Sequence, residues 1–173
     1  YAEHFAAHPD TMAAGGPIEP LYETQEPVWM SPYTKALLTA WMSYGDKVRE
    51  YPQGRYPGGG NAAYRKVVFD KVGLFNTELG RKGNLLLASE EKDIFDKMKA
   101  LGMKVLYLPT PVLHHCIPQA KLEEDYFNRL TLQIGRSERM RTRAISKGKY
   151  IKRLLSEGVK WGGTLVLLGI YTL

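Results

Sequence analysis

Residues 89–115, SEEKDIFDKMKALGMKVLYLPTPVLHH, place a predicted helix, a predicted strand and two adjacent histidines in close succession. The apolar side chains of the first part recur at helical spacing: Ile94, Phe95, Met98 and Leu101. Ser89 is suited to the N-cap of this helix and Gly102 to its end. Residues 103–108 then alternate apolar positions and stop at a proline, which is typical of a strand. A helix that leads into a strand indicates the α/β class.

Further helices are predicted along the rest of the chain. They cover residues 1–7, 32–44, 62–72 and 122–134, and a basic helical stretch covers residues 139–159. For the third of these, Asn61 is a natural N-cap and Gly73 a natural stop. No internal repeat or low-complexity tract occurs.

Length and cysteine content limit the possible classes of protein. A chain of 173 residues is long enough for one domain with a proper core. The single cysteine, Cys116, excludes an internal disulfide and a cysteine-based zinc site, and it fits a reducing compartment. The chain begins without a methionine and shows no signal peptide, so we expect it to be part of a longer protein.

The net charge of +6 is concentrated in one segment. Residues 121–160 hold 11 Lys and Arg against 5 Asp and Glu, whereas the remainder balances. Such a block can bind nucleic acid, anionic lipid or a phosphate-bearing ligand, or it can be a solvated helix face. Few aromatic residues alternate with its arginines, unlike in proteins that stack single-stranded bases, so nucleic acid is disfavoured.

Two regions flank the predicted α/β elements. Residues 22–60 are rich in Pro, Gly, Tyr and Trp, and this aromatic content predicts an ordered, ligand-covering region rather than disorder. Residues 161–173 carry no charge but are shorter than the ~20 apolar residues that span a bilayer. We therefore expect residues 1–145 to form the domain and residues 146–173 a basic and apolar tail that can associate with a membrane.

The acids at the start of the helix after Ser89 have two interpretations. Asp and Glu favour the first turn of any helix because its free N–H groups stabilise anions, so Glu90 and Glu91 can be structural. Alternatively, a carboxylate that a rigid helix holds at the edge of a sheet, ionised at neutral pH, is suited to act as general base for a hydroxyl.

The glycines and histidines are also ambiguous on spacing alone. The run of residues 58–60 lacks a nucleotide-binding fingerprint and predicts either a tight turn or a close approach of backbone to a ligand. His114 and His115 face opposite ways if they lie in a strand. One of them can be a metal ligand, although a packing role is the commoner one and no Asp-x-Asp or His-x-x-x-His partner lies nearby.

Taken in order, these segments resemble the later half of a family 2 glycosyltransferase of the GT-A type, which uses nucleotide-diphospho sugars. The resemblance covers about residues 5–143. Its elements are His8-Pro9-Asp10, Gly15-Gly16-Pro17-Ile18, Pro27-Val28-Trp29, Gly59-Gly60-Asn61-Ala62-Ala63-Tyr64-Arg65-Lys66, Val72-Gly73-Leu74-Phe75-Asn76, Leu79-Gly80-Arg81, Ser89-Glu90-Glu91-Lys92-Asp93, and Tyr107-Leu108-Pro109 with His115.

The resemblance implies sugar transfer to an acceptor hydroxyl, with inversion and by in-line attack. It implies that the acidic pair contains the base: Glu91 by position, with Glu90 in reserve, because Glu91 replaces the usual Asp of this motif. It also implies substrate contacts for a set of seven residues. These are Gly59, Gly60, Asn61, Trp29, Asp93, Gln133 and Arg136.

The remaining implications concern the metal, the missing half and the location. His115 corresponds to a histidine that completes the shell of a divalent metal, Mg or Mn, in some members. The nucleotide-binding half with its Asp-x-Asp motif does not occur in the chain, so we expect a partial GT-A fold and an inactive fragment. Ser137 stands where processive relatives have Trp, so processivity is not predicted.

The expected partners of the intact protein are a nucleotide-sugar donor and a saccharide or lipid-linked acceptor, at the cytoplasmic face of a membrane. Two alternatives remain at this point. One is a non-catalytic module that binds anionic lipid or nucleic acid through residues 121–160. The other is a degenerate glycosyltransferase.

Overall fold

The computed structural model describes residues 1–52, 54–81, 83 and 85–172, with the backbone alone for Thr172. The helices are α1 (Ala2–Ala7), α2 (Pro32–Thr39), α3 (Lys66–Val72), α4 (Glu90–Ala100), α5 (Glu124–Ile145) and α6 (Lys147–Thr172). The strands are β1 (Thr11–Gly15), β2 (Ile18–Tyr22), β3 (Arg49–Glu50), β4 (Ala62–Tyr64), β5 (Lys104–Tyr107) and β6 (Leu113–Ile117). Short 3-10 turns occupy Gly59–Asn61 and Gln119–Lys121.

A mixed sheet with flanking helices confirms the α/β class. Its strand order is β3-β5-β1-β4, in which β1 runs parallel to β5 and antiparallel to β4. A second sheet pairs β2 with β6 in parallel. Since β1 leads through residues 16 and 17 into β2, the two sheets adjoin, and the 3-10 turn at Gly59–Asn61 lies next to both of them.

Two apolar clusters hold the layers together. In the first, α3 and α4 pack against the small side chains of β1, and its buried members are Ala13, Val68, Ile94, Phe95 and Met98. In the second, α2 and α5 pack against β6, and its buried members are Met30, Leu38, Ile117, Leu122 and Leu130. The apolar face predicted for residues 90–101 is therefore a core face, apart from Leu101, which is exposed.

The predicted helix over residues 62–72 is wrong at its beginning. Residues 62–64 form β4, which pairs with β1, and the helix starts only at Lys66. Asn61 is consequently not an N-cap. Gly73 does end the helix, with φ at +80° and its N–H bonded to the Phe69 carbonyl. The sequence misled because Ala62 and Ala63 favour helix locally, whereas pairing with a central strand outweighs that preference.

The boundaries of the other helices also need correction. The chain from residue 124 to residue 145 is one helix, and Ser146, in extended conformation, separates it from α6. Neither the predicted end at residue 134 nor the predicted start at residue 139 is correct. The helix predicted over residues 32–44 ends at Thr39, because Ala40 adopts a left-handed conformation with φ at +57°.

Helix α6 contacts α5, and its Lys149 pairs with Asp96 of α4, but its second half is exposed. Its side chains are exposed from Gly158 to Tyr171, and the apolar ones include Trp161, Leu165 and Leu168. Within the described part of the chain, no helix combines the length and the apolar character needed to cross a membrane.

Candidate active site

The first turn of α4 carries Glu90 and Glu91, and each packs against a glycine. A Cβ built on Gly59 would overlap Glu91 Oε1 and lie 2.7 Å from its Cδ. A Cβ built on Gly80 would lie 3.3 Å from the Cδ of Glu90. The glycine at residue 59 therefore serves a close approach, but to a carboxylate of the same chain, which the sequence left undecided.

The electrostatic surroundings keep Glu91 from being an ordinary surface acid. Burial raises its pKa, a backbone N–H of its own helix start lowers it, and the carboxyl of Glu90 raises it again. The charge of Arg81 opposes this rise. Among the described residues, Glu90 Oε2 is buried and has no hydrogen-bond partner. A pKa that moves upward from the ordinary glutamate value moves toward neutral pH, where a general base works best.

Both acids open onto a cavity of about 1300 Å³. The turn at residues 58–60, the start of α4, and the end of α2 with the following loop all line it. His115 of β6 and Glu138 of α5 also line it. The cavity thus brings together five of the residues predicted from the sequence: Gly59, Gly60, Glu90, Glu91 and His115.

His115 turns inward and His114 outward, as alternation along β6 requires. His115 Nδ1 donates to the carbonyl of Thr39 over 2.7 Å, which leaves Nε2 as the nitrogen with a lone pair. That is a suitable arrangement for a single metal ligand. The described residues, however, contain no group of three or more His, Cys, Asp or Glu side chains that could hold an ion. These residues alone therefore do not form a metal site.

Asn61 follows the cavity-lining Gly60 and joins two distant segments of the chain next to the cavity. It is 7% exposed, and its Nδ2 donates to the carbonyls of Pro17 and Pro111 over 2.8 and 2.7 Å. Its Oδ1 accepts from the Tyr1 hydroxyl at 2.6 Å. Asn61 was predicted as a substrate contact, and its polar atoms are instead engaged with the protein.

Four other predicted substrate contacts lie away from this cavity. Trp29 packs on Phe127 and lines a separate cavity of about 620 Å³. Asp93 is buried and pairs with Lys97 over 2.6 Å. Gln133 is half-buried and Arg136 is exposed, both on α5.

The aromatic side chains on the cavity wall include Trp41, which the sequence did not single out, together with Tyr33, Tyr44, Tyr56 and Phe75. Trp41 is 47% exposed and follows the left-handed Ala40. The backbone N–H of Trp41 donates to Thr39 Oγ1. The next residue, Met42, pairs with Ile18 of β2 through two backbone hydrogen bonds. The aromatic content of residues 22–60 indicated a ligand-covering region, but it gave no means of choosing Trp41 from the six other aromatic residues there.

Comparisons with protein-family models, with curated proteins and with solved structures find no match to this chain.

Proposed function

We propose that the chain is the acceptor-side part of a glycosyltransferase of the GT-A type, which transfers a sugar from a nucleotide-diphospho donor to an acceptor hydroxyl. The observation that carries the proposal is the position of the Glu91 carboxylate, which lies against Gly59 in the wall of a large cavity. Burial there raises the pKa of Glu91. The ordered sequence motifs supply the reaction class, and the cavity supplies room for a sugar acceptor.

In this mechanism Glu91 accepts the proton of the acceptor hydroxyl while the hydroxyl oxygen attacks the anomeric carbon. The bond from that carbon to the diphosphate breaks, the nucleoside diphosphate leaves, and the configuration inverts. A half-buried base with a raised pKa is a stronger proton acceptor than an exposed glutamate, and it is still ionised when its pKa remains below the working pH. Glu90, whose side chain opens on the same cavity, is the reserve candidate.

A divalent metal, Mg or Mn, belongs to the intact protein in this proposal. It would need ligands beyond His115, and no step above is routed through it. The nucleotide-binding half of the fold and the donor contacts would likewise be supplied by residues outside this chain.

The proposal is tested in the intact protein, with the upstream residues restored, by replacing each acid separately. Glu91→Gln should lower transfer, or hydrolysis of the donor, by at least about a thousandfold, because the amide cannot accept the proton. Donor binding should remain within about twofold. Glu90→Gln is the matched control and should cost less than a tenth of that effect. A Glu91→Gln enzyme with near-normal turnover would refute the assignment to Glu91, and near-normal turnover in both variants would refute a carboxylate base at this site.

A location at the cytoplasmic face of a membrane is proposed on the evidence of α6. Residues 147–160 of this helix carry five cations, Lys147, Lys149, Lys152, Arg153 and Lys160, and residues 161–171 are exposed and uncharged. Cations beside an exposed apolar surface with Trp161 at the junction suit an interfacial helix on anionic lipid. An acceptor linked to lipid would then be close to the cavity.

The alternative function, a lipid- or nucleic-acid-binding module without catalysis, uses the same segment. Flotation with anionic vesicles, with neutral vesicles and with a DNA duplex separates the two ligands. Binding to anionic vesicles alone supports the membrane location, and salt-sensitive binding to DNA together with inactivity of the intact protein supports the nucleic-acid module. Failure to bind any vesicle at low salt would refute the membrane location.

A further inference from the structure

Helix α5 is hydrogen-bonded to the two residues that flank the acidic pair, Ser89 and Lys92. Ser89 Oγ donates to Glu138 Oε1 over 3.3 Å, and Lys92 Nζ donates to the same oxygen over 2.7 Å. Glu90 and Glu91 lie between these two points. The segment that presents both acids to the cavity is thus tied at each end to one carboxylate of a different helix.

Ser137 adds a second tie at the beginning of the segment. Its hydroxyl lies 2.8 Å from Ser89 Oγ and accepts from the N–H of Ala88 over 3.4 Å. Ser89 and Ser137 are both fully buried. The last two residues before α4 are therefore attached to α5 through a hydroxyl pair that excludes water.

Glu138 is itself held rigidly. Arg141, only 4% exposed, donates from Nε to Oε1 over 3.2 Å and from Nη2 to Oε2 over 3.1 Å, and its third nitrogen pairs with Asp96 of α4. Burial acts to raise the pKa of Glu138, but the bonds from Arg141 and Lys92 outweigh it and lower that pKa to about 2. Glu138 consequently stays a carboxylate at every pH at which a sugar transferase works.

Ser89 gives up a more usual role to make these contacts. A serine at the N-cap ordinarily accepts from an N–H of the first helical turn. Ser89 occupies the N-cap of α4 but makes no such bond, and its hydroxyl is directed to α5. The start of α4 therefore lacks a side-chain cap, and the residue before the acidic pair is hydrogen-bonded to α5 instead.

We infer that Glu138 is a positioning residue, which with Ser137 fixes the start of α4 so that the Glu91 carboxylate stays against Gly59. The inference rests on the proposed function, since it concerns the carboxylates assigned to catalysis there. Loss of alignment of about 1 Å is enough to cost a large factor in rate, so attachment at both ends of a four-residue segment is what a base in this place requires.

The first test needs no substrate and uses the chain as it is. With glutamate carboxyls labelled with carbon-13, the Glu91 signal, identified by its loss in Glu91→Gln, is followed by NMR from pH 3 to pH 9. Charged and titratable groups face Glu91 from four segments: Glu90, Arg81, Tyr64 and Tyr56. Ser137→Ala changes none of these charges, so it reports position alone.

In Ser137→Ala the pH at the midpoint of the Glu91 titration should fall toward the ordinary glutamate value, because a less firmly held helix start admits water. Glu138→Gln should lower it further. Ser156→Ala on α6 and Glu124→Gln at the exposed start of α5 are the matched controls and should leave the midpoint where it is. If Ser137→Ala and Glu138→Gln lower the melting temperature but leave the Glu91 midpoint unchanged, the contacts are only structural and the inference is overturned.

The second test uses the intact protein. Ser137→Ala should lower kcat about tenfold and Glu138→Gln about a hundredfold, with KM within about twofold in both. A rise in KM with unchanged kcat would overturn the inference. Absence of transfer by the wild-type protein would refute the proposed function instead, and the NMR test would still decide whether Glu138 positions Glu91.

Discussion

The start of α4 and the second half of α6 depart from the usual distribution of residues in opposite ways. At the start of α4, two carboxylates are partly withdrawn from water, and one buried oxygen of Glu90 has no hydrogen-bond partner among the described residues. In α6, large apolar side chains such as Leu165 and Leu168 are more than half exposed. Burial of charge and exposure of apolar surface both cost free energy.

The difference lies in what surrounds each departure. The acids lie between two glycines and the cavity, and Ser137 and Glu138 of α5 hold the segment that carries them. The rest of the fold therefore compensates for the free-energy cost of burying these carboxylates. The large apolar side chains of α6 from Val159 to Tyr171 are more than half exposed in the described structure, so an external surface that covered them would remove this cost. Under the proposed function, the first region serves catalysis and the second serves association with a membrane.

The largest effect expected in the first region comes from Gly59→Ala. The added Cβ would overlap Glu91 Oε1, so the carboxylate has to leave its position, and transfer by the intact protein should fall at least about a hundredfold. Gly135→Ala is the control, because nothing lies within 4 Å of its Cβ and alanine is the better helix former, by about 1 kcal/mol. Normal activity in Gly59→Ala would contradict the view that the position of the Glu91 carboxylate against Gly59 is needed for transfer.

In the second region, replacing Leu165 and Leu168 by serine should weaken binding to anionic vesicles roughly tenfold per residue, since each loses buried apolar area in the lipid. Vesicle flotation at constant salt measures it. Melting temperature should not change, because both side chains are exposed in the protein. A lower melting temperature would mean that these residues cover part of the protein itself.

The two regions can also be compared with a pair of tryptophans. Trp41→Ala in the cavity wall should weaken binding of neutral oligosaccharides to the intact protein about tenfold, as expected for loss of one aromatic contact face. Trp161→Ala should leave oligosaccharide binding unchanged and weaken vesicle binding. Calorimetry with glucose, mannose and N-acetylglucosamine oligomers measures oligosaccharide binding by each variant, and flotation measures vesicle binding by each. If both variants affect the same ligand, the two surfaces are not separate.

The smallest expected effect is a gain in stability. The pKa of Glu91 is raised in the folded state, so its contribution favours folding below the ordinary glutamate pKa and is lost as pH rises through the folded value. At pH 7 the ionised group therefore opposes folding. Glu91→Gln should raise the free energy of unfolding at pH 7 by about 1 kcal/mol and by less at pH 4, measured by urea titration. A loss of stability at pH 7 would contradict the sign of the shift.

Local patterns predicted α4, which has a helical apolar period and residues suited to both of its ends, and β5, which alternates apolar positions and stops at a proline. They left open whether His114 and His115 lie in a strand. They missed β1, which is made of small residues such as Ala13 and Ala14 whose strand character comes only from pairing with β4 and β5. They also mistook β4 for helix for the same reason. Elements whose conformation depends on partners far along the chain leave a weak local signal.

The candidate site divides in the same way. The acids and glycines could be predicted because they form short ordered motifs, and the structure brings Glu90, Glu91, Gly59, Gly60 and His115 to one cavity. Trp29 and Trp41 could not be told apart, because the left-handed Ala40 and the pairing of Met42 with Ile18 direct the second one to the cavity. Ser137 and Glu138 carry no motif that predicts a contact with Ser89, 48 and 49 residues away.

Asn61 has a consequence for how the protein folds. Its two donated hydrogen bonds close chain separations of 44 and 50 residues, so neither forms until β2, β4 and β6 are assembled. Contacts of such long range are slow to form because loop closure costs entropy before any contact is gained. The pairing of β1 with β4 and β5 closes separations of similar or greater length. We therefore expect the walls of the cavity and the sheet around β1 to gain protection from amide exchange together, late in folding.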